Sequence, residues 1–208
     1  SDLRRQRQMC IRDSGRMGNL RSSISKTNSS VKYIGISDID SKKAIQLGER
    51  INADKVSVDN SDIINDEKVH ALIVSTSEPE HYKPVISALE RGKPVLVEKP
   101  IALSINEAEK MVEVAEKNNT SLHVGYTLRF NRHYLIGKQQ IIENKVGNIL
   151  SCVGRFNNTQ RTGAEILKRS KHISFVNDAL TYLVDLFGWY LDGKIPKEIV
   201  AKGHGKIY

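Results

Sequence analysis

Lys93-Pro94-Val95-Leu96-Val97-Glu98-Lys99-Pro100 decides the fold. Val95, Leu96 and Val97 are aliphatic and read as a short buried strand. A carboxylate, an ammonium and a proline follow at once. Proline has no N–H to give to a sheet ladder, so the strand ends there. Glu98 and Lys99 therefore stand at the carboxyl end of a strand, where open α/β sheets bind ligands. A charged pair at that point suggests chemistry rather than packing.

Outward from this strand, apolar runs alternate with helical patterns from about residue 17 to residue 125. A helix starts near Gly18, with Met17, Leu20 and Ile24 at helical spacing. Val31 to Ile36 reads as a strand ending at Ser37-Asp38. Ser41 to Ile51 reads as a helix with Ala44, Ile45, Leu47 and Ile51 inward. Val69 to Val74 is an apolar strand that ends in Ser75-Thr76-Ser77. Glu80 to Arg91 is a helix stopped by Gly92, the residue best suited to a left-handed end. Ser104 with Glu107 three residues on forms a capping box. The helix it opens turns Ala108, Met111, Val112 and Ala115 inward. Leu122-His123-Val124 is a further strand. The alternation predicts a Rossmann-type parallel sheet with helices on both faces. After Gly125 the texture changes. Residues 134–145 and 175–191 read as helices, 149–156 and 199–208 as strands of another sheet, and 157–172 as a polar, basic loop. The expected organisation is a dinucleotide-binding domain over 15–125 and an incomplete substrate domain of α/β type over 126–208. Residues 1–14 read as a leader foreign to the native chain, because residues 3–14 resemble a translated adapter. On that reading the central strand of the sheet is missing or badly imitated.

Composition narrows the function classes. Of 208 residues, 39% are hydrophobic and 27% charged, as in ordinary globular proteins. No apolar run approaches the ~20 residues that span a bilayer, and the arginine-rich start has no apolar core of a secretory signal. Cys10 and Cys152 lie far apart without metal-ligand spacing, so no metal site and a reduced, cytoplasmic setting are expected. The net charge of +8 sits at the two ends: +3 in residues 1–16, −2 in 17–128 and +7 in 129–208. Without a basic helix or a nucleic-acid motif, this excess makes nucleic acid an unlikely partner.

Gly15-Arg16-Met17-Gly18 opens the first helix of the alternating region. Glycine there lets backbone approach a pyrophosphate seated on the helix amino end. The full pattern is G-x-G-x-x-G, and its first glycine position is occupied by Asp13, which makes the motif weak by itself. Asp38 strengthens it. It ends the second apolar strand 20 residues after Gly18, where a carboxylate accepts from both hydroxyls of an adenosine ribose. The same charge repels a 2′-phosphate, so NAD is favoured over NADP. The competing reading makes Asp38 a helix cap. Lys99 is the best candidate for proton chemistry, since an ammonium can orient a substrate hydroxyl and stabilise alkoxide. On 175–191, Asp178, Tyr182, Asp185 and Trp189 form one polar stripe, opposite Val176, Leu180, Leu183 and Phe187. That stripe must face water, a partner or a ligand.

These residues resemble the glucose–fructose oxidoreductase / inositol dehydrogenase (Gfo/Idh/MocA) family. The likeness runs from Gly15 to the end. It rests on Glu98-Lys99-Pro100, Asp38, the Ser75 to His81 turn, Gly125 to Asn131, and the 175–191 helix with its Asp178, Asp185 and Trp189. The resemblance implies a Rossmann domain followed by an α/β domain with a large, mostly antiparallel sheet. It implies hydride transfer between a sugar or polyol carbon and a nicotinamide. Lys99 then matches the catalytic lysine, Glu98 its cofactor-side neighbour and Asp178 the acid beside the substrate. Ser75, Thr76 and His81 line the cofactor cleft, and Arg129 and Asp185 belong to the substrate side. The family's histidine base falls at Tyr182, a phenol and a poor base at neutral pH. The expected machinery is therefore Lys99, Asp178 and Tyr182 for proton chemistry. Gly15, Arg16, Met17, Gly18, Asp38, Ser75, Thr76, His81, Glu98 and Lys99 hold NAD.

Arg155, Arg161, Lys168, Arg169 and Lys171 suggest an anionic sugar derivative as substrate. Two other functions remain open. One is a family member that binds dinucleotide without turnover. The other is a basic module that binds polyanions. Self-association into a homo-oligomer is expected of a full-length relative.

Overall fold

The computed structural model describes residues 15–157, 159, 161–164 and 176–202, together with the backbone path of 7–12. It divides into two compact units, Ser1–Gly125 and Tyr126–Tyr208.

The first unit holds β1 (Arg7–Arg12), α1 (Arg16–Thr27), β2 (Val31–Ser37), α2 (Ser41–Ile51), β3 (Lys55–Ser57) and α3 (Asn60–Ile64). It continues with β4 (Ala71–Val74), α4 (Tyr82–Leu89), β5 (Val95–Val97), α5 (Ile105–Lys117) and β6 (Leu122–Val124). All strand pairs are parallel, in the order β3-β2-β1-β4-β5-β6. The order reverses between β1 and β4, and the crevice beyond their carboxyl ends is the ligand position of such sheets.

Of the two alternatives expected for the central strand, a missing strand is not what the structure has: Arg7–Arg12 pairs along its length with β2 and, from Met9 onward, with β4. Two ready ladders, one on either side, satisfy its backbone groups even though its own sequence is a poor strand former.

Strand residues alternate between two cores. Leu72, Val74, Val95 and Val97 join Ile63, Val85, Leu89 and Met111 on one face. Ile34, Ile36 and Ile73 join Leu47 and Ile51 on the other, with Leu96 against them. Both faces are covered, which is why these strands read as continuous apolar runs rather than alternating ones.

The helices depart from expectation in detail. α1 buries Gly18, Ser22 and Ser25, while Leu20 and Ile24 are exposed. The buried Ser22 hydroxyl donates to the Asn19 carbonyl, which offsets its desolvation. Ile45 of α2 and Val112 of α5 are also exposed, because each helix presents only one stripe to the sheet. Ser104 stands at the N-cap of α5 but its side chain makes no cap bond, so the expected box does not form. The working caps are Asp40, which accepts from Lys42 N and Lys43 N, and Asp59, which accepts from Ser61 N. The helix expected over 80–91 is shorter: a 3-10 turn at Glu78–Glu80 leads into α4, and Gly92 follows at φ 67°.

Asp66 ties β2, β3 and the turn before β4 together. Its carboxylate accepts from Tyr33 Oη at 2.9 Å, Lys55 Nζ at 3.0 Å and Lys68 N at 2.9 Å. Burial pushes this carboxyl up, but the three donors outweigh it and bring it from 3.8 down to about 2. The folded value lies below the unfolded one, so the stabilisation is present above about pH 4 and disappears as pH falls toward about 2. Asp66→Asn should flatten that acid limb. Melting temperature followed across this window in both proteins checks it, and parallel curves would refute it.

The second unit contains a 3-10 turn (Thr127–Phe130), α6 (Arg132–Ile142), a π turn (Val176–Leu180) and α7 (Thr181–Tyr190). The strand expected at 149–156 is absent: residues 149–157 have no regular structure, and Leu150 and Val153 are almost fully exposed. A strand needs a partner ladder, and none of the described residues of this unit supplies one. Residues 161–164, inside the expected loop, are helical, and 199–202 are irregular; Lys168, Arg169, Lys171 and 203–208 lie outside the described residues.

Candidate functional site

The carboxyl edge of the first sheet gathers most of the residues singled out for a cofactor. Gly15 stands at the N-cap of α1 in extended conformation and Gly18 is buried in its first turn. No acidic side chain occupies that turn, so its N–H groups face no carboxylate of their own helix. Asp13, at the first glycine position, lies outside the described residues.

Asp38 follows β2 and is buried, 6% exposed. Its Oδ1 accepts from Asp40 N at 2.8 Å, which fixes the turn without engaging the other carboxylate oxygen in that bond. The cap of α2 is Asp40, so the competing reading of Asp38 as helix cap fails. Ser75 and Thr76 leave β4. Thr76 Oγ1 is buried and has no hydrogen-bond partner among the described residues. A buried hydroxyl left in this state, at a ligand-binding edge, fits a polar group of a bound cofactor. On that observation and the placement of Asp38, the residues present fit a dinucleotide.

Glu98 and Lys99 leave β5, and the Lys99–Pro100 peptide is cis. Lys99 is half-buried. Glu98 is buried and turns to α1, where Arg21 Nε donates to its Oε1 at 2.8 Å and Arg21 Nη2 lies 2.7 Å from the same oxygen. Arg21 was invisible to sequence reasoning, since nothing local marks a partner 77 residues away. The other oxygen, Oε2, occupies the place a side chain at residue 125 would need: a Cβ on Gly125 would sit 2.8 Å from it. His81 does not line an open cleft. Its ring is fully buried, with Nδ1 2.9 Å from the Pro100 carbonyl and Nε2 3.1 Å from the Thr76 carbonyl.

In the second unit the expected polar stripe takes shape, but its helix opens with the π turn, which carries Asp178, and the α-helical part carries the rest. Three of its members, Tyr182, Asp185 and Trp189, meet side chains of their own unit. Asp185 receives a two-pronged bond from Arg129, Nε to Oδ2 at 2.8 Å and Nη2 to Oδ1 at 2.5 Å. That bond raises the Arg129 guanidinium further above its ordinary value. The guanidinium also lies 5.8 Å from the Trp189 ring, within cation–π range. Tyr182 packs edge-on against Tyr126 and parallel to Phe156. Burial pushes the Tyr126 phenol up, and the Asp185 charge adds to it. Asp178 is half-buried, and Arg155 and Arg161 are exposed. No group of three metal-ligating side chains occurs among the described residues, and none of their helices is long and apolar enough to cross a membrane.

Residues 14–126 match the model of a family described as oxidoreductase family, NAD-binding Rossmann fold. The chain belongs to this family. The match spans the glycine turn, Asp38 and Glu98-Lys99-Pro100. Among curated relatives, the chain is 27% identical over 176 residues to scyllo-inositol 2-dehydrogenase (NAD(+)) of Bacillus subtilis, covering 85% of this chain and 50% of that protein. It is 26% identical over 133 residues to myo-inositol 2-dehydrogenase of Thermotoga maritima, covering 64% and 40%. Its fold matches scyllo-inositol dehydrogenase from Lactobacillus casei, solved with NAD(H) and scyllo-inositol. The TM-score is 0.78 at 21% identity, over 89% of this chain and 56% of that one. The chain thus spans about half the length of the curated relatives it matches.

Proposed function

We propose that this chain carries the NAD-binding part of a dehydrogenase that oxidises a carbinol carbon of an inositol-type polyol. The observation that carries the reading is Asp38, a buried carboxylate at the carboxyl end of β2 beside the switch point of a parallel sheet. Asp38 would hold the ribose hydroxyls, and the Gly15–Gly18 turn the pyrophosphate. Ser75 and Thr76 would hold the nicotinamide half. The bound cofactor supplies the hydride acceptor.

The remaining work falls to side chains of this chain. Lys99 Nζ orients the substrate hydroxyl and stabilises the alkoxide that forms as its proton leaves. Asp178 and Tyr182 are the proposed partners for that proton, and Arg129 and Asp185 shape the substrate side. Glu98, on the cofactor side of Lys99, also holds Arg21 of α1. The relatives' names support a polyol of the inositol kind, and the cytoplasm is the proposed setting.

Calorimetric titration of the chain with NAD is the direct test. Saturable binding, stronger than to NADP, is expected. NADH formation from scyllo- or myo-inositol in the same solution would extend the result to turnover. Absence of any saturable NAD binding would overturn the reading.

A further inference from the structure

His81 is the one fully buried imidazole among the described residues, and both of its ring nitrogens face backbone carbonyls. A carbonyl only accepts. A neutral ring donates to one of the two, and a doubly protonated ring to both. The two carbonyls belong to different crossings of the sheet edge. Thr76 lies just beyond β4, and Pro100 just beyond β5, directly after Lys99. The histidine itself stands at the N-cap of α4, on a third segment, and its backbone carbonyl accepts from Val85 N in the helix. Its backbone is therefore anchored while its ring spans the two loops.

We infer that His81 is a positioning residue for Lys99: the ring N–H at Nδ1 holds the Pro100 carbonyl and so fixes the half-buried lysine beside it. The shorter of the two contacts is the one to Pro100. With no exposed ring atom, His81 acts on a ligand only through the loops it ties. This role rests on the proposed reading of Lys99 as the residue that orients the substrate hydroxyl.

The test uses the full chain and needs no cofactor. Limited acetylation at fixed pH, followed by peptide mass spectrometry, gives the labelling rate of Lys99 relative to the exposed Lys117 of α5. Lys93 serves as a control for general loosening. Its ammonium donates to the Ile64 and Asp66 carbonyls at 2.7 Å, away from His81. Three variants divide the ring's contacts. His81→Asn keeps a donor near Nδ1, His81→Gln keeps one near Nε2, and His81→Phe keeps neither. His81→Gln and His81→Phe should raise the Lys99 ratio about fivefold, the worth of one ordinary hydrogen bond, with Lys93 unchanged and His81→Asn close to the parent. Lys99 unchanged in all three variants would overturn the inference. So would Lys93 rising in step with Lys99, or His81→Asn behaving like His81→Phe. Because labelling proceeds without NAD, a failed NAD titration and a failed labelling result are separate outcomes.

Discussion

Arg21→Met lowers the stability of the chain by about 3–5 kcal/mol, the cost of stranding a buried charge. Glu98 is 9% exposed at its side chain and Arg21 18%, so water cannot replace the lost guanidinium well. Both guanidinium contacts converge on one carboxylate oxygen. The other is hemmed in by the Gly125 backbone, where even a methyl group would meet it at 2.8 Å. The carboxylate is 9% exposed and so loses its partner in a place water reaches poorly. Adding Glu98→Gln to Arg21→Met should recover much of the loss, because replacing both members of a buried pair avoids the uncompensated charge. Urea midpoints of the parent, the single and the double variant measure this. A single variant that costs no more than ~1 kcal/mol would place the pair with ordinary surface ion pairs and refute the argument. The pair also has a functional position. It joins α1, whose amino end begins the glycine turn, to the residue before Lys99.

Removing the charge of Asp38 should weaken NAD binding by about 10- to 100-fold, since hydrogen bonds to a charged group are worth ~1.5–3 kcal/mol. Asp38→Asn is the informative variant. It retains an oxygen to accept from Asp40 N, so the turn after β2 stays in place. It loses the negative charge that repels a 2′-phosphate. The ratio of NAD to NADP affinity should fall, by weaker NAD binding and stronger NADP binding together. Titration of both dinucleotides into both proteins checks it. An unchanged ratio would mean that Asp38 serves the turn alone.

Much of the fold was legible because its signals are local. A run such as Val95-Leu96-Val97 ending in a charged pair and a proline specifies a buried strand and its end within eight residues. The strands β2, β4, β5 and β6 and the helix α2 follow from such runs, and their alternation implies the parallel sheet. Where local signals were weak or misleading, neighbours decided. Arg7–Arg12 is polar, yet two flanking ladders make it the central strand. Ile149 to Phe156 alternates well, yet without a ladder among the described residues it forms none. Ser104 and Glu107 have the spacing of a capping box, but the Ser104 side chain makes no cap bond.

By itself the sequence placed Asp38, Thr76, Glu98 and Lys99 at strand ends, because strand termination is written in neighbouring residues. Only the tertiary structure turned Glu98 onto Arg21, buried His81 between two carbonyls and paired Asp185 with Arg129. Those partners lie 77, 19, 5 and 56 residues apart. Only the five-residue step from Thr76 to His81 falls within the reach of helical or strand periodicity. The others exist because packing brings distant segments within hydrogen-bonding distance, where removal from water makes each charge and each N–H depend on the partner it meets.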